Sequence, residues 1–254
     1  MNSEEEFLSG LVRGVKDSLM TRNGFDYLPN TSIEISNIME ILKKSNISSI
    51  AYCGKNGTEE SFKNLSSSNK KDIIHISTHG MYIRADDTNE RILNNLMFLI
   101  DSNSSSSNLL DEQLSRSFLV MSGGNRLPKH KTIPIGMEDG ILTAREIADV
   151  DLYGVNLVVL SACQTGLGDI TADGVWGLQR GFKKAGAKTI LMSLDKVDDE
   201  ATRILMVEFY KNLMSGHSKH QSLKNAQKHL RSVENGKYDN PKYWASFIML
   251  DGLN

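Results

Sequence analysis

Two residues of this chain combine a reactive side chain with a setting that favours reaction, His79 and Cys163. Each follows an apolar run. IIHIST (73–78) leads into His79-Gly80, and NLVVLSA (156–162) leads into Cys163 and a glycine-bearing loop. A cysteine attacks carbonyl carbon as its thiolate, and a nearby imidazole supplies the base. Open α/β sheets bind ligands beyond the carboxyl ends of their strands. If these two strands are close neighbours, His79 and Cys163 face one cleft despite their distance in the chain. Backbone N–H groups at a turn stabilise the oxyanion of a tetrahedral intermediate. Gly80 suits that task, because no side chain blocks a close approach. The residues alone thus allow a Cys–His dyad, beside a plainer reading in which both are structural.

Other candidates are weaker. His75 and His79 have the spacing of a metal pair on a helix, but the segment reads as a strand. At ~3.3 Å per residue the two stand about 13 Å apart, too far for one ion. His75 is expected to be a core-facing or hydrogen-bonded strand histidine. His217, His220 and His229 fall in a basic helical region with nothing nearby to complete a ligand set, so no metal site is expected. Gly166, Gly168 and Gly174 lack the phosphate-loop and dinucleotide patterns and read as a flexible substrate loop. Trp176 and Trp244 read as core residues, on a helix and a strand respectively. Cys53 closes a predicted strand and reads as structural.

The elements around the reactive pair alternate. A short helix is expected within residues 1–24, with no partner face evident. Ile35, Ile38, Met39 and Leu42 mark an amphipathic helix. Residues 48–53 read as a strand, 58–65 as a short helix, 73–78 and 117–121 as strands. The serine-rich stretch 102–108 reads as a surface loop exposed to cleavage, and 125–140 as an irregular loop. Thr143 and Glu146 have capping-box spacing. After the buried strand 156–162 come a helix carrying Val175, Leu178 and Phe182 and ended by Gly186, and a strand at 188–194. A helix capped by Asp198 or Asp199 runs to about Met214, and Leu223, Ala226 and Leu230 mark another. A last strand is read at 244–250. Strands alternating with helices predict an α/β fold with a mainly parallel sheet. With no internal repeat and no second core, the expectation is a leader or helix over 1–24 and one domain over 25–254.

Composition bounds the function. A formal net charge of -2 over 254 residues offers no basic excess for phosphates, so nucleic acid is not an expected partner. The N-terminus, MNSEEEFLSGLVRG, lacks the pattern of a signal peptide, and no apolar run approaches the ~20 residues of a membrane span. A cytoplasmic protein is expected. Two cysteines form no disulfide framework.

Longer blocks carry a resemblance. DIIHISTHG (72–80), SFLVMSGGN (117–125), DGILTAREIADVDLYGVNLVVLSACQTGLGD (139–169), DGVWGLQRGFKKAGAKTILMSLDKVDDEAT (173–202) and NPKYWASFIMLDG (240–252) occur in order. Together they resemble the CHAT family of caspase-like proteases, from about Phe25 to the C-terminus. The resemblance implies a caspase-like three-layer sandwich with helices on both faces of the sheet. It implies His79 as catalytic histidine, Cys163 as nucleophile, and the amides of Gly80 and Cys163 as oxyanion hole. No cofactor or metal is implied. The expected activity is a cysteine endopeptidase that cleaves a specific protein partner in a regulated prokaryotic pathway such as signalling, defence or cell death. CHAT domains often follow helical repeats, and none is evident here. The regulator is then a separate helical-repeat protein, or the chain is a fragment of a longer one.

The chain departs from the family at three places near the substrate. Gln164 stands where Glu is common and removes a charge beside the nucleophile. Asp195 stands where Trp is common, in a loop resembling part of the specificity pocket. It reads either as a selector of basic side chains or as a solvated aspartate. Ser161, two residues before Cys163, replaces the charged or amide residue of more specific relatives and leaves the preference open. The competing functional reading is a catalytically idle caspase-like protein-interaction module. A nucleotide-binding domain rests only on the glycine-rich loop.

Overall fold

A computed structural model describes residues 20–21, 24–66, 71–83, 113–126, 137–162, 165–171 and 174–252. The first half forms β1 (Met20–Thr21), β2 (Gly24–Phe25), α1 (Pro29–Lys44), α2 (Glu59–Lys63), β3 (Ile73–Ser77), β4 (Gly80–Tyr82) and β5 (Ser117–Val120). Then come β6 (Ile141–Thr143), α3 (Ala144–Ala148), β7 (Leu157–Ser161), β8 (Gly168–Thr171), β9 (Gly174–Gly177), α4 (Leu178–Lys184) and β10 (Thr189–Ser193). The chain closes with α5 (Asp199–Met214), α6 (Lys219–Ser232), α7 (Pro241–Trp244) and β11 (Phe247–Asp251).

The central sheet has the order β11-β10-β7-β3. β3, β7 and β10 run parallel, and β11 joins antiparallel on the edge of β10. All of β7 is buried, as its unbroken apolar sequence requires when both faces of a sheet are covered. Its alternate residues feed two cores. Val158 and Leu160 meet Phe62 of α2, Ile147 of α3, and Leu178 and Phe182 of α4. Leu157 and Val159 meet Ile38 of α1, Leu205 and Phe209 of α5, and Leu230 of α6. The result is a three-layer α/β sandwich with helices on both faces. A second, antiparallel sheet, β4-β5-β6, begins immediately after His79.

Local signals hold where they are strong. Asp198 caps α5 through a 2.9 Å bond from the Ala201 N–H. Thr143 and Glu146 form a reciprocal capping box. Gly186, at φ +104°, follows the end of α4. Four expectations need correction. Residues 48–53 form no strand; Ile50 and Tyr52 are exposed, so alternation there does not mark a buried face. Val175 lies in β9 and is exposed rather than on the α4 face, because β8 and β9 pair as a hairpin before the helix begins. The two tryptophans exchange settings: Trp176 lies in β9, and Trp244 in the single turn α7. Asn240 caps that turn and Pro241 starts it, delaying the last strand to Phe247. Of the expected N-terminal helix, residues 1–19 lie outside the described residues, and β1 and β2 pair where its end was expected. The serine-rich stretch 102–108 and residues 127–136 also lie outside them.

An acidic cluster around the buried Glu59 ties α2 to the segment before β6. Lys63 Nζ lies 2.7, 2.9 and 3.0 Å from carboxylate oxygens of Glu59, Glu138 and Glu146. Glu59 Oε2 accepts from the Gly140 N–H at 3.0 Å. One ammonium does not neutralise three carboxylates. Burial and the neighbouring Glu146 charge push Glu59 upward, while the N–H of Thr143 and the charge of Lys63 keep Glu146 low despite its burial. Asp139, beside them, is pushed up to about 6 from 3.8, first by burial and then by the charges of Glu146 and Glu138. A raised carboxyl holds its proton longer in the folded state, so stability falls as pH rises through the window from about 4 to 6. Asp139→Asn keeps the acceptor for the Ile141 N–H and removes the titration. The stability of the variant relative to wild type should rise by about 1–2 kcal/mol between pH 4 and pH 7, measured by urea unfolding. A pH-independent difference would contradict this account.

Candidate active site

The parallel pairing of β3 with β7 runs from Ile73↔Leu157 to Ser77↔Ser161. His79 and Cys163 each stand two positions beyond that last pair in the chain. Cys163 and Gln164 lie outside the described residues, but both flanks of that loop are described.

His79 is buried, with 7% of its surface exposed. Its carbonyl accepts from the Val120 N–H at 2.9 Å, and the Thr78 hydroxyl donates to the Val120 carbonyl, so the turn out of β3 is bound to β5. The ring stacks at a tilt on Phe25, with centroids 5.7 Å apart. Nε2 lies 2.6 Å from the Asp26 carbonyl oxygen. A carbonyl only accepts, so Nε2 carries the proton, and in the neutral ring Nδ1 keeps the lone pair. Gly80, buried, follows directly and opens β4 opposite Leu119.

On the other strand, Ser193 at the end of β10 grips the chain on both sides of position 163. Its hydroxyl donates to the Ala162 carbonyl at 2.6 Å, and its N–H donates to Thr165 Oγ1 at 3.1 Å. Its carbonyl accepts from the Gly166 N–H at 2.7 Å. Ser193 and Thr165 are fully buried. Gly166 is needed there, since a Cβ would lie 2.8 Å from Leu194 and 3.0 Å from the Ser193 carbonyl. Beyond it the expected flexible glycine loop is the ordered hairpin β8–β9, paired from Gly168↔Gly177 to Thr171↔Gly174.

The remaining candidate residues are dispersed. The Ser161 hydroxyl points inward and donates to Glu34 Oε2 at 3.1 Å. The other Glu34 oxygen lies 2.7 Å from His75 Nε2, and His75 Nδ1 lies 3.2 Å from the Tyr210 hydroxyl. His75 is therefore the hydrogen-bonded strand histidine expected. Asp195 is exposed, two positions past Ser193, and accepts from the Lys196 N–H at 2.7 Å. His217, His220 and His229 lie on the surface, His220 against Asp251 at 2.7 Å. Cys53 is exposed on an irregular segment, not buried at a strand end. Among the described residues, ligand atoms of Glu59, Glu138 and Glu146 lie within 4.8 Å of one another, but the Lys63 ammonium already serves as their counter-charge.

Sequence reasoning missed Asp26, Asn125, Glu34 and Ser193. Asp26 acts through its carbonyl, which no side-chain pattern marks. Ser193 ends a buried strand, and a polar residue there is the one signal that pointed to it.

A model of the CHAT domain matches residues 2–252. The chain belongs to the CHAT domain family. That family is related to caspase-like proteases, and the three-layer sandwich with its mainly parallel sheet is the fold expected of a member. Tetratricopeptide repeat protein 28 of Mus musculus is 36% identical over 110 residues, which is 43% of this chain and 4% of that protein. Its Homo sapiens counterpart is 34% identical over 114 residues, 45% of this chain and 4% of that protein. The matched segment is thus a small part of those relatives. Among the described residues, no helix of this CHAT domain is long and apolar enough to cross a membrane.

Ser193→Ala tests the grip on the 162–166 loop. It orphans the buried Ala162 carbonyl and should lower stability by about 1–3 kcal/mol. Hydrogen exchange should accelerate at Thr165 and Gly166 and stay unchanged in α6. Unchanged exchange in the loop would show that the hydroxyl does not hold it.

Proposed function

We propose that this CHAT domain is a cysteine endopeptidase in which Cys163 is the nucleophile and His79 the acid–base. The observation that carries the reading is the register of β3 on β7, with His79 and Cys163 each two positions past the Ser77↔Ser161 pair. The Nε2–H of His79 on the Asp26 carbonyl supports it further, because that bond leaves Nδ1 as the base.

In the proposed reaction the Cys163 thiol passes its proton to His79 Nδ1, the resulting thiolate attacks a peptide carbonyl, and the C=O electron pair moves to oxygen. The amides of Gly80 and Cys163 receive that oxyanion. Collapse breaks the C–N bond, and His79 protonates the departing amine. Water then loses a proton to His79 as it attacks the thioester, and the thiolate leaves. No metal or cofactor takes part in this scheme. Asp195, exposed near the end of β10, is proposed to meet a basic side chain of the substrate, with the neutral Gln164 beside the nucleophile, while Ser161, turned inward to Glu34, sets no preference. The substrate is proposed to be a protein partner in the cytoplasm. The tetratricopeptide repeat naming of the relatives supports a helical-repeat regulator, whether separate or elsewhere in a longer chain.

A peptide-library assay comparing wild type with Cys163→Ala and His79→Ala tests the dyad. Cleavage should fall by at least about 1,000-fold in both variants, and a preference for basic residues should weaken in Asp195→Ala. Cleavage that survives Cys163→Ala would end the proposal. A wild type inert to every peptide and to thiol-directed probes would favour an idle interaction module.

A further inference from the structure

We infer that Asn125 is a positioning residue for His79, acting through the backbone of Phe25 and Asp26; the inference rests on the peptidase reading. The Asn125 side chain meets one residue, Phe25, with both of its polar atoms. Oδ1 accepts from the Phe25 N–H at 2.6 Å, and Nδ2 donates to the Phe25 carbonyl at 3.0 Å. A primary amide offers an acceptor and a donor side by side in one plane, as a neighbouring β-strand would. Asn125 thereby pairs with Phe25 across a sequence separation of 100 residues. The next residue, Asp26, presents its carbonyl to His79 Nε2, and the Phe25 ring lies against the imidazole.

Few long-range hydrogen bonds secure this segment. Among the described residues, the long-range hydrogen bonds reaching residues 25–28 are the two from Asn125 and the one from His79. Asp26 and Tyr27 are exposed, and β2 is two residues long. A loose carbonyl orients nothing, so the segment needs an anchor from the body of the domain.

Asn125 itself is firmly seated. The Met121 N–H donates to the Gly140 carbonyl at 2.7 Å, and the Ser122 N–H to the Gly57 carbonyl at 2.9 Å. Gly140 has φ +86°, and a Cβ on it would lie 2.3 Å from the Gly124 nitrogen. The Gly140 N–H is held in turn by buried Glu59. A rigid line thus runs from Glu59 through Gly140 and the 121–126 turn to Asn125, and from there to the imidazole.

The test compares wild type, Asn125→Ala and Asn125→Asp in a Cys53→Ser background, with Ser218→Ala as a control that weakens the distant α6 cap. Two readouts are taken: kcat and KM on a cleaved peptide, and the ring N–H signal of His79 in nitrogen-15 spectra, assigned by its loss in His79→Ala. Asn125→Ala should lower kcat about 10- to 100-fold with KM within about twofold, and should lose the exchange-protected Nε2–H signal. Asn125→Asp keeps the acceptor and loses the donor, so it should fall between. Ser218→Ala should leave both readouts unchanged. An active wild type whose kcat and ring signal survive Asn125→Ala would overturn the inference and leave the dyad standing. If wild type cleaves nothing, the peptidase reading fails separately. The ring signal then still decides: retained in Asn125→Ala it overturns the positioning role, lost it upholds that role.

Discussion

The arrangement depends first on the five-residue parallel pairing of β3 with β7. Parallel pairing aligns the carboxyl ends of two strands at one edge of the sheet, whatever their separation in the chain. The pairing is stable because both faces of β7 are covered, Val158 and Leu160 on one side and Leu157 and Val159 on the other. Each such side chain contributes about 1.5–3 kcal/mol on burial. A slip of one residue would exchange the two faces and break both cores, so the register is strongly specified. Residues at the strand ends inherit that precision without supplying it.

Past the last pair, hydrogen bonds to the backbone take over. β3 turns through His79 into the second sheet, bound to β5 by the Val120 N–H and carbonyl. β7 runs into a loop that Ser193 holds at Ala162, Thr165 and Gly166. Single bonds of this kind contribute only about 1 kcal/mol to stability. Their value lies in geometry, because each directs a main-chain atom rather than a mobile side chain.

Two polar networks bracket this frame. Glu34, His75, Tyr210 and Ser161 form a network between α1, β3, α5 and β7. Glu59, Lys63, Glu138 and Glu146 form another on the opposite face. Isolated and buried, such groups would each cost several kcal/mol; paired with one another, they constrain which elements meet. The first joins α1 to β3 and β7 of the central sheet. The second holds Gly140, and with it the turn that carries Asn125.

The sequence by itself determined the elements whose cause is local. The apolar run 156–162 had to be a buried strand, Asp198 and Thr143–Glu146 had to begin helices, and Gly186 had to end one. The ordered blocks around His79 and Cys163 disclosed the CHAT family and its fold. The strand reading misled at 48–53 and the Val175 periodicity at β9, because burial did not follow there. Only the tertiary structure decided that Asp26 presents its carbonyl to His79, that Asn125 holds Phe25, and that Ser161 turns inward to Glu34. Those contacts join residues 53 to 127 positions apart or bind backbone atoms that every residue shares. Nothing in residue type or spacing encodes such a pairing until the sheet order brings its members together.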